Sequence, residues 1–254
     1  RDMVQNHLTQ MLAITAMETP GRFDPEAIRS EKAKVLQAAR LADELEPWNC
    51  CIRGQYGPGG SDGAPLSGYR QEPGVDPHST TETYVAMKLF IDNWRWQGVP
   101  FYLRTGKRLP ERRSEIVIQF KPVPHNVFRD RGGKLEANTL IIRLQPEEYV
   151  RLLVMAKEPG LDRGGVTLRE VPLDLSLTAA FAGSRRRIAY ERLLLDLIEG
   201  DQTLFVRRDE VEAQWTWIDA IRRLWSATAL LPKAYGAGSW GPNAAIALTE
   251  RDGV

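Results

Sequence analysis

Apolar and polar residues alternate in the middle of the chain, between Glu115 and Lys121. Successive side chains of a β-strand point to opposite faces of a sheet, so this period of two predicts a strand with one buried face and one wet face. Comparable β-prone runs lie on both sides of it. The predicted strands are Tyr84–Ile91, Pro100–Leu103, Glu115–Lys121, Thr139–Leu144, Val150–Ala156 and Val166–Leu175. Short connections between several of them favour antiparallel pairing.

Helical spacing of apolar residues marks both ends of the chain. Asp2–Glu18 and Pro25–Leu45 are predicted as helices, the second with Asp24 as its N-cap. Two closing helices are predicted at Ile188–Glu199 and at Asp209–Trp225, the latter with its first residue as N-cap. The predicted fold class is therefore α+β, with a large mixed, mostly antiparallel sheet and helices packed on one of its faces.

The whole chain, residues 1–254, is predicted to form one domain in three parts. Residues 1–46 are a helical segment and residues 47–230 are the sheet with its packing helices. Residues 231–254 are rich in Gly and Ala, which predicts a loose tail. The stretch Gly57–Thr80 is predicted as a long surface loop, and its glycine-rich beginning, Gly57–Gly60, as flexible.

Composition and charge argue against several classes of function. The 254 residues carry a formal net charge of +1, whereas nucleic-acid-binding proteins usually have a basic surplus. No run approaches the roughly 20 apolar residues needed to span a membrane. Cys50 and Cys51 are the only cysteines and are adjacent, a poor arrangement for a disulfide, so buried thiols in the reducing cytoplasm are expected. His78 and His125 have no second ligand at zinc-like spacing, so no metal site is predicted.

A cluster of cations ends the segment Thr81–Arg113. The apolar run of Tyr84–Ile91 and a second short strand precede it, and Gly106 allows the backbone to turn within it. The cations are Arg104, Lys107, Arg108, Arg112 and Arg113. Lys and Arg donors that converge on a turn can bind a phosphate group. The alternative is an edge strand followed by a solvated basic turn.

The same segment resembles a motif of the glucose-6-phosphate dehydrogenase family, TETYVAMKLFIDNWRWQGVPFYLRTGKRL in this sequence. The first residues, RDMVQNHLTQMLAITAMETP, resemble that family's active-site helix. Further similar segments are IRGQY at 52–56, NTLIIRLQP at 138–146 and YERLLLD at 190–196. These segments follow the family's order over essentially the whole chain. The chain therefore resembles the C-terminal domain of the family's enzymes.

The family's enzymes begin with a Rossmann domain, whose glycine-rich turn between a strand and a helix binds the dinucleotide. Gly57–Gly60 does not fit that pattern, because Pro58 lacks a backbone donor and no amphipathic helix follows. The chain also starts at Arg1, within a motif. We therefore expect a C-terminal piece of a longer enzyme that is inactive by itself, with the nucleotide bound mainly by the absent N-terminal domain.

The resemblance implies oxidation of glucose 6-phosphate at C1 to 6-phosphogluconolactone with NADP, in the oxidative pentose phosphate pathway. It also implies a homodimer or a dimer of dimers formed through the sheet. Arg104 and Arg113 resemble positions that some members use for a second, structural NADP. The other residues of that site are not recognisable in the tail, so this second nucleotide is not expected.

Within RDMVQNH, His7 matches the family's catalytic base, and a neutral imidazole suits removal of a hydroxyl proton. From the residues alone, His7 could equally be a satisfied helix histidine beside Leu8 and Met11. Asp2 matches a ligand of the sugar hydroxyls, and its alternative role is a helix N-cap.

Three further residues match family positions that contact the substrate, namely Lys107, Arg112 and Gln145. The alternatives are a solvated turn for Lys107, surface ion pairing for Arg112 and an ordinary polar strand end for Gln145. Two rival functions also stay open. One is a non-catalytic relative used for assembly or regulation, and the other is an oxidoreductase that acts on another sugar.

Overall fold

A computed structural model describes residues 2–43, 46–61, 63–129, 135–160, 166–183, 189–228 and 230–253. The chain divides into two compact units. The first contains Arg1–Pro110 and Arg187–Val254, and the second contains Glu111–Arg186. The single predicted domain therefore consists of two units, and the first of them is built from both ends of the chain.

The first unit begins with a π-helix, Met3–Leu8, that continues directly into helix α1, Thr9–Ala16. Helix α2 spans Pro25–Ala38, and the Asp24 side chain accepts a hydrogen bond from the Ala27 N–H at 2.9 Å, which confirms the predicted N-cap. Helix α2 ends earlier than predicted, because the next residues pair as strand β1, Ala39–Leu41.

A five-stranded sheet forms the centre of the first unit. Its remaining strands are β2 (Cys51–Gly57), β5 (Tyr84–Ile91), β6 (Phe101–Gly106) and β11 (Lys233–Gly236). Strand β5 pairs antiparallel with β6 along one edge and with β1 and β2 along the other, and β11 adds to β2 in parallel. A small hairpin of β3 (Gly59–Ser61) and β4 (Ala64–Leu66) stands apart from this sheet.

Alternate residues of β5 enter two different hydrophobic cores. Val85, Met87, Leu89 and Ile91 face the core that is shared with the π-helix, α1, α2 and α5 (Arg208–Ala227). Tyr84 and Ala86 face the opposite core, to which β11 and α6 (Asn243–Glu250) contribute. Most helices of this unit therefore cover one face of the sheet, and the short α6 covers the other.

The prediction of a loose tail at residues 231–254 is wrong, because these residues contain β11 and α6. Gly and Ala serve close packing here. A side chain at Gly59 would collide with the Ala237 backbone, and the Gly60 N–H donates to the Ala237 carbonyl at 3.0 Å. The flexible loop predicted at Gly57–Gly60 is likewise a paired segment.

The second unit contains a four-stranded antiparallel meander in the order β10-β9-β8-β7. Its strands are β7 (Ser114–Gln119), β8 (Thr139–Gln145), β9 (Tyr149–Lys157) and β10 (Leu168–Ser176), followed by the short helix α3 (Leu177–Ala180). The predicted α+β class is confirmed. The strands predicted for one large sheet are divided between this four-stranded sheet and the five-stranded sheet of the first unit.

One face of the meander is aliphatic. The register places Val171, Leu173 and Leu175 of β10 beside Val154, Leu152 and Val150 of β9, and these beside Leu140 and Ile142 of β8 and Ile116 and Ile118 of β7. The opposite face carries charged residues, including an ion pair between Arg151 and Asp174 at 2.6 Å. This division follows directly from the period of two in the sequence.

Two further helices of the first unit are α4 (Ala189–Glu199) and α5. The N-cap of α5 is Arg207 rather than the predicted Asp209. The Glu210 carboxylate accepts from the Arg207 N–H at 3.0 Å, and the Arg207 guanidinium pairs with Asp209 at 2.7 Å. Glu210 thus satisfies the donor that precedes the first turn, as the third residue of a helix often does.

Cys50 and Cys51 form no disulfide and are both buried, as predicted. Burial raises the pKa of the Cys51 thiol well above its usual value, so this thiol stays protonated at neutral pH. His78 and His125 are exposed, as expected for loop histidines. Among the described residues, no three His, Cys, Asp or Glu side chains come together as a metal site. No helix in the described ranges has the length and apolar character required to cross a membrane.

Candidate active site

The π-helix Met3–Leu8 presents Asn6 and His7 to solvent. Val4 is buried and Leu8 packs against the same core, so His7 remains exposed on the outer side. The buried Thr9 hydroxyl donates to the Gln5 carbonyl and lies 3.2 Å from the Asn6 carbonyl. A side chain that bonds to these carbonyls supports the wider turn, and π-turns are frequent at functional sites.

Asp2 directly precedes the π-helix and is exposed. It has helical backbone angles and makes no capping hydrogen bond with its side chain. The carboxylate is therefore not used as the N-cap that the sequence offered as its alternative role. His7 is likewise exposed and lies outside the core.

Lys107 is the first residue after β6, and its side chain is exposed. Its N–H donates to the Thr83 carbonyl at 2.8 Å, and its carbonyl accepts from the Tyr235 hydroxyl at 2.7 Å. The preceding residue, Gly106, has no space for a side chain, because a Cβ there would lie 2.5 Å from the Tyr84 ring. The turn is thus closely packed at its backbone while the ammonium group faces solvent.

The π-helix lies against β6, and Val4, Leu8 and Leu103 belong to one core. The structure therefore carries His7, Asp2 and Lys107 on neighbouring elements of the first unit. A free imidazole, a carboxylate and an ammonium group on adjacent elements can, respectively, accept a proton, accept hydrogen bonds from hydroxyl groups and pair with an anion.

Arg112 and Gln145 belong to the second unit and are exposed. Gln145 ends β8 and forms a cis peptide bond with Pro146. Arg104 and Arg113 are engaged within the protein. The Arg104 guanidinium lies 5.6 Å from the centre of the Trp240 ring, and Arg113 lies 3.3 Å from the Glu115 carboxylate.

A buried polar network behind the π-helix escaped sequence reasoning. Lys32 of α2 lies 2.9 Å from the Glu210 carboxylate of α5, and their side chains are 5% and 0% exposed. The contact is an ion pair rather than a directed hydrogen bond to that carboxylate oxygen. Lys32 also donates to Gln10 of α1 at 3.0 Å. In the sequence, this network is indicated only by a lysine and a glutamate among the apolar positions of two helices.

A separate side-chain hydrogen bond joins the π-helix to α5. The Gln5 amide donates to the Gln214 side chain of α5 at 2.9 Å, and Gln214 is buried. Because Gln5 lies two residues before His7, this hydrogen bond connects the segment that carries His7 to α5.

Comparison with known proteins shows the family to which this chain belongs. The model of the family described as glucose-6-phosphate dehydrogenase, C-terminal domain, matches residues 1–254. The chain is 59% identical over 254 residues to a glucose-6-phosphate 1-dehydrogenase of Zymomonas mobilis and 55% identical over 255 residues to one of Rhizobium meliloti. Each match covers 100% of this chain and 52% or 51% of the relative. The chain spans about half the length of the curated relatives it matches.

Solved structures agree with these matches. A glucose-6-phosphate dehydrogenase in complex with its substrate glucose 6-phosphate superposes with a TM-score of 0.87 at 35% identity, covering 100% of this chain and 50% of that one. A glucose-6-phosphate 1-dehydrogenase from Mycobacterium avium gives a TM-score of 0.79 at 37% identity, covering 98% of this chain and 48% of that one. The fold is that of an α+β domain found in dehydrogenases. The chain belongs to the family of glucose-6-phosphate dehydrogenase C-terminal domains.

Proposed function

We propose that this chain forms the substrate-binding and dimerisation part of an enzyme that oxidises glucose 6-phosphate at C1 to 6-phosphogluconolactone with NADP. The main support is the exposed His7 on a π-helix that lies against β6, the strand that leads directly to Lys107. The match to a structure bound to glucose 6-phosphate supports the choice of substrate.

In this proposal His7 is the general base. Oxidation at C1 requires that the hydroxyl proton and a hydride leave together, and a neutral imidazole can accept the proton. His7 lies on the rim of the core with its ring in solvent, so a substrate can approach it. The π-helix is anchored from behind by Val4 and by the Gln5–Gln214 hydrogen bond, which limits movement of the base.

The remaining residues position the sugar phosphate. Asp2, one residue before the π-helix, accepts hydrogen bonds from the sugar hydroxyls, because a carboxylate can bind several of them at once. Lys107 pairs with the phosphate group through its exposed ammonium. Arg112 and Gln145, which match family positions that contact the substrate, stay predicted substrate contacts.

The described residues do not offer a dinucleotide site of the Rossmann type. Gly57 ends β2, and Gly59 and Gly60 begin the hairpin strand β3, so a strand rather than a helix follows this glycine-rich turn. Backbone donors at a helix N-terminus are therefore lacking at this turn. The nucleotide, NADP in this proposal, is bound mainly by residues outside this chain. The curated relatives are about twice its length, which allows for them.

Replacing Lys107 with Ala in the complete protein is expected to raise KM for glucose 6-phosphate about 10- to 100-fold, because a charge-assisted contact to phosphate is lost. Initial rates of NADP reduction measure this. The control is Lys34→Ala, which removes an exposed lysine of α2 that pairs with Glu31 of its own helix. Equal KM values for the two variants would return Lys107 to the role of a solvated turn residue.

A homodimer formed through the sheet is the second part of the proposal. The aliphatic face of the four-stranded sheet includes Leu173 and Leu175, which are more than half exposed in the single chain. Apolar surface of this kind is usually covered in the functional state. Cytoplasmic location completes the proposal, since buried cysteines that form no disulfide, Cys50 and Cys51, fit a reducing compartment.

The dimer is tested by sedimentation equilibrium of the complete protein together with hydrogen exchange at two protein concentrations. We expect a mass of two or four chains at micromolar concentration. We also expect the amides of β7–β10 to exchange more slowly as concentration rises, because association shields the sheet. A monomeric mass, or exchange in these strands that is independent of concentration across the association range, would contradict assembly through this sheet.

A further inference from the structure

We infer that Tyr235 is a positioning residue for Lys107, so that the end of the chain fixes the backbone of the phosphate-binding turn. This inference rests on the proposed role of Lys107. It concerns a strand, β11, that lies in the segment predicted to be a loose tail.

The Tyr235 side chain is 5% exposed, and its hydroxyl lies between two parts of the turn. A phenol has one proton to donate, and its shortest contact is with the Lys107 carbonyl at 2.7 Å. The Thr83 hydroxyl is 3.2 Å away and can donate to the same phenol oxygen. Burial raises the pKa of Tyr235, which keeps this donor protonated at neutral pH.

The turn needs such an anchor because the strand ladder ends just before it. The last paired residues of β5 and β6 are Tyr84 and Gly106. Among the described residues, the Lys107 backbone has two hydrogen-bond partners: its N–H donates to the Thr83 carbonyl, and its carbonyl accepts from the Tyr235 hydroxyl. Without the hydroxyl, one of the two is lost.

The residue after Lys107 is held from the same direction. Arg108 has a φ of 52°, in the left-handed region that a non-glycine residue rarely adopts. Its carbonyl accepts from the Gly238 N–H at 2.7 Å, and its guanidinium donates to Glu72 at 2.9 Å. Two consecutive carbonyls of the turn thus accept hydrogen bonds from Tyr235 and Gly238, which fixes the direction in which Lys107 leaves β6.

Tyr235 also packs in the core, with its ring 5.4 Å from the Tyr84 ring and 6.3 Å from the Tyr56 ring, centre to centre. A role confined to this packing would affect stability alone. Tyr235→Phe keeps the ring and removes only the hydroxyl, so it separates the two roles. Tyr102→Phe is the matched control, because the Tyr102 hydroxyl bonds to Asp252 and not to the turn.

In the complete protein, Tyr235→Phe is expected to raise KM for glucose 6-phosphate about 5- to 20-fold, with kcat within about twofold of the unchanged enzyme. Tyr102→Phe is expected to leave KM within about twofold. Thermal unfolding of both variants checks that each is folded. A KM for Tyr235→Phe that matches that of Tyr102→Phe overturns the inference.

A double-mutant cycle with Lys107→Ala tests whether the hydroxyl acts through Lys107. If it does, Tyr235→Phe raises KM in the presence of Lys107 and has no further effect when Lys107 is already Ala. Equal factors in both backgrounds overturn the inference while the proposed function stands. If Lys107→Ala itself leaves KM unchanged, the proposed role of Lys107 fails, and the positioning role fails with it.

Discussion

Replacing His7 with Asn in the complete protein is expected to lower kcat for glucose 6-phosphate oxidation about 1,000-fold, while KM changes by less than about threefold. Asn preserves the polarity and approximate size of the side chain but cannot accept a proton at neutral pH. The loss is expected in the step that deprotonates the C1 hydroxyl. The fold is expected to be unaffected, because His7 belongs to no core and its replacement leaves the packing of Val4 and Leu8 intact. Steady-state kinetics under saturating NADP measure both constants.

His78→Asn is the matched control for this experiment. His78 is also exposed, but it lies in a loop between Asp76 and Ser79 and outside the proposed site. Its replacement is expected to leave both constants unchanged. A His7→Asn enzyme that retains more than about a tenth of the original kcat would remove His7 from the role of general base.

Replacing Lys32 with Met is expected to lower the free energy of unfolding by about 3–5 kcal/mol. The Glu210 carboxylate is fully buried and lies 2.9 Å from the Lys32 ammonium. Once the ammonium is removed, the carboxylate keeps its burial without a compensating charge. Chemical denaturation of the complete protein measures the loss, and fluorescence follows it because α5 carries Trp215, Trp217 and Trp225 against this core.

Two further variants separate the buried charge from the loss of a side chain. Lys34→Met removes a lysine of the same helix whose side chain is 68% exposed, so the loss of its ion pair with Glu31 is expected to cost less than about 1 kcal/mol. The double variant Lys32→Met, Glu210→Gln removes both charges of this pair and is expected to recover at least half of the loss. A double variant that is no more stable than Lys32→Met would show that desolvation of the carboxylate is not the cause.

The central strands could be predicted from the sequence because their signals are local. Tyr84–Ile91 has the predicted bounds, and its β-prone residues are buried on both faces. Strand β2 was not predicted, since Arg53 and Gly54 interrupt its apolar pattern. It is stabilised by pairing with β5 on one side and β11 on the other, which no local window can reveal. The end of α2 was misplaced for the same reason, because pairing with β5 overrides helix propensity after Ala38.

The candidate site shows the same limit. His7, Asp2 and Lys107 were found through motifs that resemble a family, and the motifs say nothing about what holds these residues. The anchors Tyr235 and Gln214 lie far away in sequence: Tyr235 is 128 positions after Lys107, and Gln214 is 209 positions after Gln5. The prediction of a loose tail from its composition was wrong, because Gly and Ala there allow backbones to approach closely rather than causing disorder.

The parallel pairing of β11 with β2 has a consequence for the order in which the protein is made. A ribosome adds Lys107 long before Tyr235, since the two are separated by 128 positions. Until the later residue emerges, β2 lacks one neighbour and the Lys107 carbonyl lacks its donor. A chain interrupted between them would contain His7, Asp2 and Lys107 and still lack the hydroxyl that holds the turn. In the proposed role of Lys107, the turn is therefore completed late in synthesis, when the last strand joins the sheet.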